Sequence, residues 1–375
     1  MRITLLGAGH IGHTIAHLLG NSGDYDVTVV DRSADALAKI PTGPRVRTLL
    51  ADTSAAGAAF APAELQGTLL AVLRGQQAVI NALPYHLATL AATAAREAGC
   101  HYFDLTEDVA ATRAIQQLAE GAATVFMPQC GLAPGFIGIV AHHLAQKFDT
   151  LVDVKMRVGA LPAFPTNALK YNLTWSVDGL INEYCHPCEA IREGRNIEVL
   201  PLEGLEHFSL DGTEYEAFNT SGGLGTLTET LRGRVQTLDY KSVRYPGHQA
   251  LMKLLLEELQ LNQDTETLKA ILRKSIPSTM QDVVLVFVTV SGMKDGVLVQ
   301  EVFARKIFAD RSDSHPLSAI QITTAAGICA AVDLFREGRL PQRGFIRQEQ
   351  VALPDFLANR FGRAYQQSRQ VESIG

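Results

Sequence analysis

Met1-Arg-Ile-Thr-Leu-Leu-Gly7-Ala-Gly9-His-Ile-Gly12 runs a short apolar stretch directly into G-x-G-x-x-G, and an amphipathic pattern follows at once. Three glycines at this spacing are common in loops, so the flanks carry the reading: a strand must enter the turn and a helix must leave it. A second apolar stretch, Asp26-Val-Thr-Val-Val-Asp31, ends in an acid at the separation of roughly twenty residues that a dinucleotide fold requires. Gly7 permits the tight turn, Gly9 lets the backbone approach a pyrophosphate, and Gly12 lets the helix lie close on the strand. The helix opened by His10 and Ile11 then presents its N-terminus to the phosphates. Asp31 is expected to accept hydrogen bonds from the adenosine ribose. It favours NAD over NADP, because a carboxylate repels a 2′-phosphate. Arg32 opposes that preference, since a guanidinium there would pair with the phosphate; a solvated loop charge accounts for it equally well.

Working outward, apolar runs at 46–50, 78–81, 101–104 and 123–127 alternate with helical patterns at 62–73, 87–98 and 109–120. Six strands with intervening helices predict a doubly wound parallel sheet, a Rossmann domain. Ligands in such sheets lie beyond the carboxyl ends of the strands. That rule singles out Asp52, the stretch from Asn81 through Ala82, Leu83, Pro84 and Tyr85 to His86, the stretch from Asp104 through Thr106 and Glu107 to Asp108, and the stretch from Gln129 through Cys130 to Gly135. After Gly135 the rhythm changes. Alternating runs at 151–158, 280–290 and 297–308, the last two joined by the turn signal Lys294-Asp295-Gly296, predict a mixed α/β domain with a largely antiparallel sheet. Helices are expected at 177–184 and 249–259, and a small-residue helix at 318–337. The domain reading is therefore 1–128 for the dinucleotide, 129–317 for the substrate, and a helical segment 318–375 packing back on the first domain.

A chain of 375 residues can bury two cores, and 47% hydrophobic with 19% charged residues describes an ordinary globular protein. A formal net charge of −6 without a basic run points away from nucleic acid and from membrane surfaces, towards a small-molecule substrate. The chain opens on strand residues and shows no apolar run of membrane-spanning length, so a cytoplasmic location is expected. Five cysteines, an odd number, agree with a reducing compartment. Cys185-His-Pro-Cys188 has C-x-x-C spacing but no second pair at metal distance, and reads as two thiols beyond a helix. No metal is expected.

Five later segments carry a resemblance: Cys130-Gly-Leu-Ala-Pro-Gly135, Val158-Gly-Ala-Leu-Pro162, Lys170-Tyr-Asn-Leu-Thr-Trp-Ser176 with Glu183-Tyr184, Glu216-Ala-Phe-Asn-Thr-Ser-Gly-Gly223, and Asp239-Tyr-Lys-Ser-Val-Arg-Tyr-Pro-Gly-His248. Together they resemble the saccharopine dehydrogenase-like family, and within it the lysine 6-dehydrogenases, over nearly the whole chain. The resemblance implies a homodimer formed through the sheet of the second domain. It also implies NAD-dependent oxidative deamination of the ε-carbon of L-lysine to allysine and ammonia. By the same resemblance Leu83, Pro84, Tyr85, His86, Thr106, Glu107 and Asp108 line nicotinamide and substrate, and Asn219, Thr220 and Ser221 contact substrate. Relatives that make or cleave saccharopine commonly follow the Trp-Ser pair with an arginine for a substrate carboxylate. Here Asp178 stands in its place, which suits an amine better than a further acid. Ala160, where relatives often have glycine, changes little.

Oxidising a primary amine requires its neutral form, and an ε-ammonium titrates near ~10.4, so a base is needed. His86 is the first candidate, Glu107 the second and His248 the third. Arg244 is the natural partner of an α-carboxylate, because its planar fork pairs bidentately. Lys241 offers similar charge, and Tyr171 on an expected strand is a further substrate contact. Two other readings stay open: an imine-reducing enzyme that forms saccharopine or a carboxylated polyamine, and a nucleotide-responsive binding protein without turnover.

Overall fold

The computed structural model describes residues 1–52, 62–173, 175–310 and 316–366, with the side chains of 62–65 set aside. The chain divides into two compact units. The first comprises Met1–Phe136 and Thr324–Ala364, the second Ile137–Thr323 and the chain from Tyr365.

Unit 1 is built on β1 (Arg2–Leu6), β2 (Asp26–Asp31), β3 (Val46–Leu50), β4 (Ala78–Asn81), β5 (His101–Asp104) and β6 (Val125–Met127). All pair in parallel in the order β6-β5-β4-β1-β2-β3, and a two-residue strand, Gly344–Phe345, adds itself in parallel to β6. The doubly wound sheet therefore has seven strands rather than six. The seventh is too short to leave a periodic signal and is recruited by main-chain bonds to Thr124 and Phe126. Chain order reverses between β1 and β4, so the carboxyl ends of these two strands mark the ligand crevice of the fold. One side of the sheet packs on the small-residue helix Ala88–Ala98 through Ala91, Ala92, Ala94 and Ala95, all fully buried. Small side chains there let helix and sheet approach closely.

Unit 2 contains β7 (Thr150–Pro162), β8 (Cys188–Arg192), β9 (Arg195–Val199), β10 (Glu206–Leu210), β11 (Thr213–Asn219), β12 (Val235–Arg244), β13 (Asp282–Lys294) and β14 (Val297–Phe308). The main path is β10-β11-β12-β7-β13-β14, with β8 on β12 and β9 on β8. Every pairing is antiparallel except β12 with β7. Asp295 and Gly296 both have positive φ, 51° and 77°, which is the twist a two-residue hairpin between β13 and β14 requires. Asp282 at the start of β13 is buried and accepts the amides of Ala319 (2.6 Å) and Ile320 (3.0 Å), capping the helix Ala319–Arg336. That helix is long and apolar enough by composition to cross a membrane, where the sequence suggested no such run; 83% of its apolar window is buried inside the protein.

The stretch around Tyr171 is not a strand. Lys170 has φ 49°, the Asn167 carboxamide donates to the Tyr171 carbonyl (2.6 Å) and accepts from the Tyr171 amide (3.4 Å), and Leu173 makes only an isolated bridge to Ser278. A side-chain-closed turn replaces the expected ladder; Thr174 lies outside the described residues.

Candidate functional site

In unit 1 the glycine turn has the form its spacing requires. Gly7 sits at φ 101° with the Ala82 carbonyl so close that a Cβ would lie 2.8 Å from its oxygen, and a Cβ on Gly12 would lie 2.0 Å from the Gly7 oxygen. Gly9 is the opposite case: it is exposed, and nothing stands within 4 Å of its Cβ direction. The helix His10–Asn21 that begins there has no side-chain cap. Its first-turn amides therefore have no side chain to bond, and His10 is exposed beside them with Ile11 half-buried. An open cradle above uncapped amides fits a pyrophosphate.

Asp31 is tied into this turn. Its Oδ2 accepts the Ala8 amide (2.7 Å) and its Oδ1 the Ser33 amide (2.8 Å), while each oxygen keeps a further lone pair for a ribose hydroxyl. Arg32 is exposed and Asp52 half-buried beyond β3. At the end of β4 the buried Asn81 donates to Tyr102 Oη (3.2 Å) and accepts the Leu83 amide (3.2 Å), which shapes the turn through Ala82, Leu83 and the exposed Pro84. Tyr85 and His86 start a short 3₁₀ turn and meet edge to face, with His86 exposed.

The next strand end is organised by the acid that opens the expected stretch 104–108, a residue to which the sequence assigned no role of its own. Asp104 is fully buried; its Oδ2 accepts Tyr102 Oη–H (2.7 Å), and its Oδ1 accepts the amides of Thr106 (3.0 Å) and Gln129 (2.9 Å). Burial raises its carboxyl to about 6 against those three bonds. Thr106 accepts the Asp108 amide (3.2 Å), and Asp108 caps the following helix at Ala111 (2.7 Å). Glu107 stands between them, half-buried. Desolvation pushes it up to about 7; its own main-chain amide opposes the shift, and Asp108 and Asp104 add to it. Cys130 is buried, its thiol donates to the Met127 carbonyl (3.1 Å) and receives the Gln348 amide (3.1 Å), and burial holds it protonated. It packs; it is not a reactive thiolate.

In unit 2 the decisive side chain is Arg244 at the end of β12, 3% exposed. Its Nε donates to Tyr184 Oη (3.0 Å) and its Nη1 to the Val243 carbonyl (2.8 Å). Its guanidinium carbon lies 5.2 Å from the Tyr171 ring centre and 5.9 Å from that of Tyr184. Three arginines and lysines are buried among the described residues. Arg157 pairs with Glu206 and Asp239 (2.5 Å), and Lys241 with Glu206 (2.8 Å) and the Gly204 carbonyl (2.5 Å). Arg244 alone of the three makes no carboxylate pair there. Burial works against its charge, and the neighbouring Tyr184, Tyr171 and Glu183 more than compensate.

His248 is 1% exposed and bonded at both nitrogens, Nδ1 to the Leu169 carbonyl (2.9 Å) and Nε2 to Tyr184 Oη (3.1 Å). Desolvation first, then Arg244, lower it to about 3. It therefore does not serve as a base, contrary to the sequence expectation, because its acceptor nitrogen is occupied and its charge excluded. Glu216 sets its position by accepting the amides of Gly247 (2.8 Å) and Gln249 (2.6 Å) at the start of its helix.

Asp178 also departs from expectation. It is 45% exposed at its side chain and paired with Lys269 (2.7 Å) and Arg273 (3.1 Å), so its charge is spent tying two helices together. Asn219, Thr220 and Ser221 bond within the unit, to the Leu200 carbonyl (3.2 Å), Ser242 Oγ (2.8 Å) and the Pro187 carbonyl (3.2 Å). They brace the chain at the end of β11. Tyr171 is buried and joined to Trp175 Nε1 (3.1 Å). Asn172 beside it is 5% exposed with an unpartnered Oδ1, a polar group that no periodic pattern would have flagged. Cys185 and Cys188 are free thiols raised by burial.

Comparison with known proteins agrees with both units. Residues 3–127 match the family profile described as saccharopine dehydrogenase NADP binding domain, and residues 131–363 that of the saccharopine dehydrogenase C-terminal domain. The mitochondrial alpha-aminoadipic semialdehyde synthase of Rattus norvegicus is 19% identical over 331 residues, 82% of this chain; the chain spans 33% of that relative's length. The fold is that of the apo saccharopine dehydrogenase (L-Glu forming) of Saccharomyces cerevisiae, with a TM-score of 0.75 at 15% identity over 97% of this chain and 96% of the other. With its two profiles covering residues 3–127 and 131–363, the chain belongs to the saccharopine dehydrogenase family.

Proposed function

We propose that the protein is a nicotinamide-dinucleotide oxidoreductase acting on the CH–NH2 group of an amino acid, and that its reaction is the oxidative deamination of the ε-amine of L-lysine. The observation that carries the amino-acid reading is Arg244, a buried guanidinium with no carboxylate at ion-pair distance, in a unit whose other buried cations, among the described residues, are directly paired. A buried charge left without its counter-ion is costly. A substrate carboxylate would complete it. One receptor of this kind suits a substrate with a single carboxylate better than saccharopine with three, and the choice of the ε-amine rests on the resemblance.

The residues of unit 1 fit the dinucleotide: Gly9 leaves the cradle open, the helix from His10 offers its amides, and Asp31 keeps lone pairs for the ribose. Bound there, the oxidised dinucleotide supplies a hydride acceptor. NAD is the proposed form, on the charge of Asp31; the description of the matching profile favours NADP, and Arg32 is the residue that would accommodate its 2′-phosphate. Glu107, rather than the exposed His86, is assigned the proton of the substrate ammonium, because its carboxyl titrates at about 7. Above that pH it is ionised and can accept the proton.

The test offers NAD and NADP in turn with L-lysine, ornithine, saccharopine and polyamines, and follows reduced dinucleotide in the near ultraviolet. Reduction with L-lysine and release of ammonia are expected. Binding of dinucleotide without reduction by any amine would overturn the oxidative reading, and turnover of saccharopine alone would move the substrate.

A further inference from the structure

Arg244 has five N–H donors, and the protein uses two of them, Nε on Tyr184 and one Nη1 hydrogen on Val243. The bond on Nε is the informative one, because a phenol oxygen both donates and accepts and its direction must be set. The Leu169 carbonyl can only accept, so His248 carries its proton on Nδ1. The ring is neutral; Nε2 is then bare and accepts Tyr184 Oη–H. With its hydrogen committed to His248, Tyr184 turns a lone pair to Arg244 Nε–H. The links of Arg244 to Tyr184 and of Tyr184 to His248 are buried and that to Leu169 is part-buried, and Phe218 stacks against the imidazole (6.2 Å, 8°) while Tyr171 flanks it (5.3 Å).

We propose that Tyr184 and His248 are positioning residues that hold the Arg244 guanidinium with its Nη edge free, so that a substrate carboxylate is taken end-on by Nη1 and Nη2. The inference rests on reading Arg244 as the carboxylate receptor, and it deepens that reading by fixing which atoms bind and what aims them. A side-on approach through Nε and Nη2 is closed, because Nε is already bonded. The chain of donors runs one way, from Arg244 through Tyr184 to His248 and on to Leu169, and reversing any hydrogen leaves two donors or two acceptors face to face inside the unit.

Two measurements test it. Nitrogen-15 spectra of histidine-labelled full-length protein should show one buried ring as the Nδ1–H tautomer, lost in His248→Phe; an Nε2–H tautomer for that ring overturns the proposal without reference to any substrate. Calorimetric binding of L-lysine, 6-aminohexanoate and cadaverine then separates the carboxylate from the amine. Tyr184→Phe and His248→Phe should weaken both carboxylate probes about tenfold or more and leave cadaverine unchanged, the range expected when a buried hydrogen bond to a charge is lost. His248→Gln, which restores an acceptor to the Tyr184 hydroxyl, should recover most of the loss. Equal affinity in all variants, or equal loss with Gln and Phe, overturns the relay. Loss of cadaverine binding as well would assign Tyr184 and His248 to general folding instead and also overturn it. These outcomes do not depend on turnover: failure of every amine to reduce the dinucleotide would sink the proposed reaction while the tautomer and the carboxylate binding stand.

Discussion

Replacing Asp104 by Asn should make unit 1 more stable at neutral pH and remove one step of its pH dependence. The Asp104 carboxyl has a folded value of about 6 against 3.8 for the free group, because burial disfavours its charge more than its bonds from Tyr102, Gln129 and Thr106 favour it. Between those values the folded protein keeps a proton that the unfolded chain has released, so stability falls as pH rises. The stabilisation from this group is fully present below about pH 4 and is lost as pH passes about 6. Two pKa units correspond to about 3 kcal/mol, an order-of-magnitude figure. An isosteric carboxamide keeps the geometry: its oxygen accepts the Thr106 and Gln129 amides, and its NH2 donates to Tyr102 Oη. That oxygen also receives Asn81 Nδ2 (3.2 Å), and in the variant its single hydrogen turns from residue 104 to the Ala88 carbonyl (3.2 Å), so its bonding capacity is met. The assay must see unit 1. The single tryptophan, Trp175, lies in unit 2, so amide exchange in β5 and β6 under urea is the appropriate probe. The difference between parent and Asp104→Asn should grow from near zero at pH 4 to about 1–3 kcal/mol above pH 6, weaker neutral hydrogen bonds accounting for the lower bound. A constant difference across that range, or an Asn variant less stable at pH 7, would refute the account of a carboxylate ionised at a cost.

The other expectations follow the same logic. For Glu107, activity should rise through about pH 7 as the carboxyl ionises, and Glu107→Gln should lose that limb together with 10²–10⁴-fold in kcat; an unchanged profile would return the role to His86. Gly9→Ala should fold normally, since its Cβ meets nothing within 4 Å, yet weaken dinucleotide binding in titration, whereas Gly12→Ala should lower the melting temperature, because its Cβ would come 2.0 Å from the Gly7 oxygen. The reverse pattern would mean the turn has been misassigned. Asp282→Ala removes the acceptor of two buried amides at the start of the helix from Ala319 and should cost about 1–2 kcal/mol in thermal unfolding. Asp282→Asn, which keeps one acceptor oxygen, should recover part of it.

What could be read from the chain follows a physical divide. Periodicity, glycine spacing and the acid ending β2 are local, and they sufficed for the parallel sheet, the hairpin of β13 and β14, and the cradle at Gly9. Side-chain pairing is not local. Asp178 looked free in sequence because its partners, Lys269 and Arg273, lie about ninety residues away on another helix. Lys241 looked equivalent to Arg244, and only the fold shows Glu206 neutralising one and not the other. His248 looked like a base until both its nitrogens proved to be bonded, and Asp104, the acid that ends β5, became the organiser of two loops because Thr106 and Gln129 converge on it. A sequence names the groups able to bind or to move a proton; which of them are still available is decided by the partners that folding brings to them. Arg244 stands out for that reason: among the buried cations of the described residues it is the one with no carboxylate at ion-pair distance, so the open place on its guanidinium is the strongest single indication of what the protein binds.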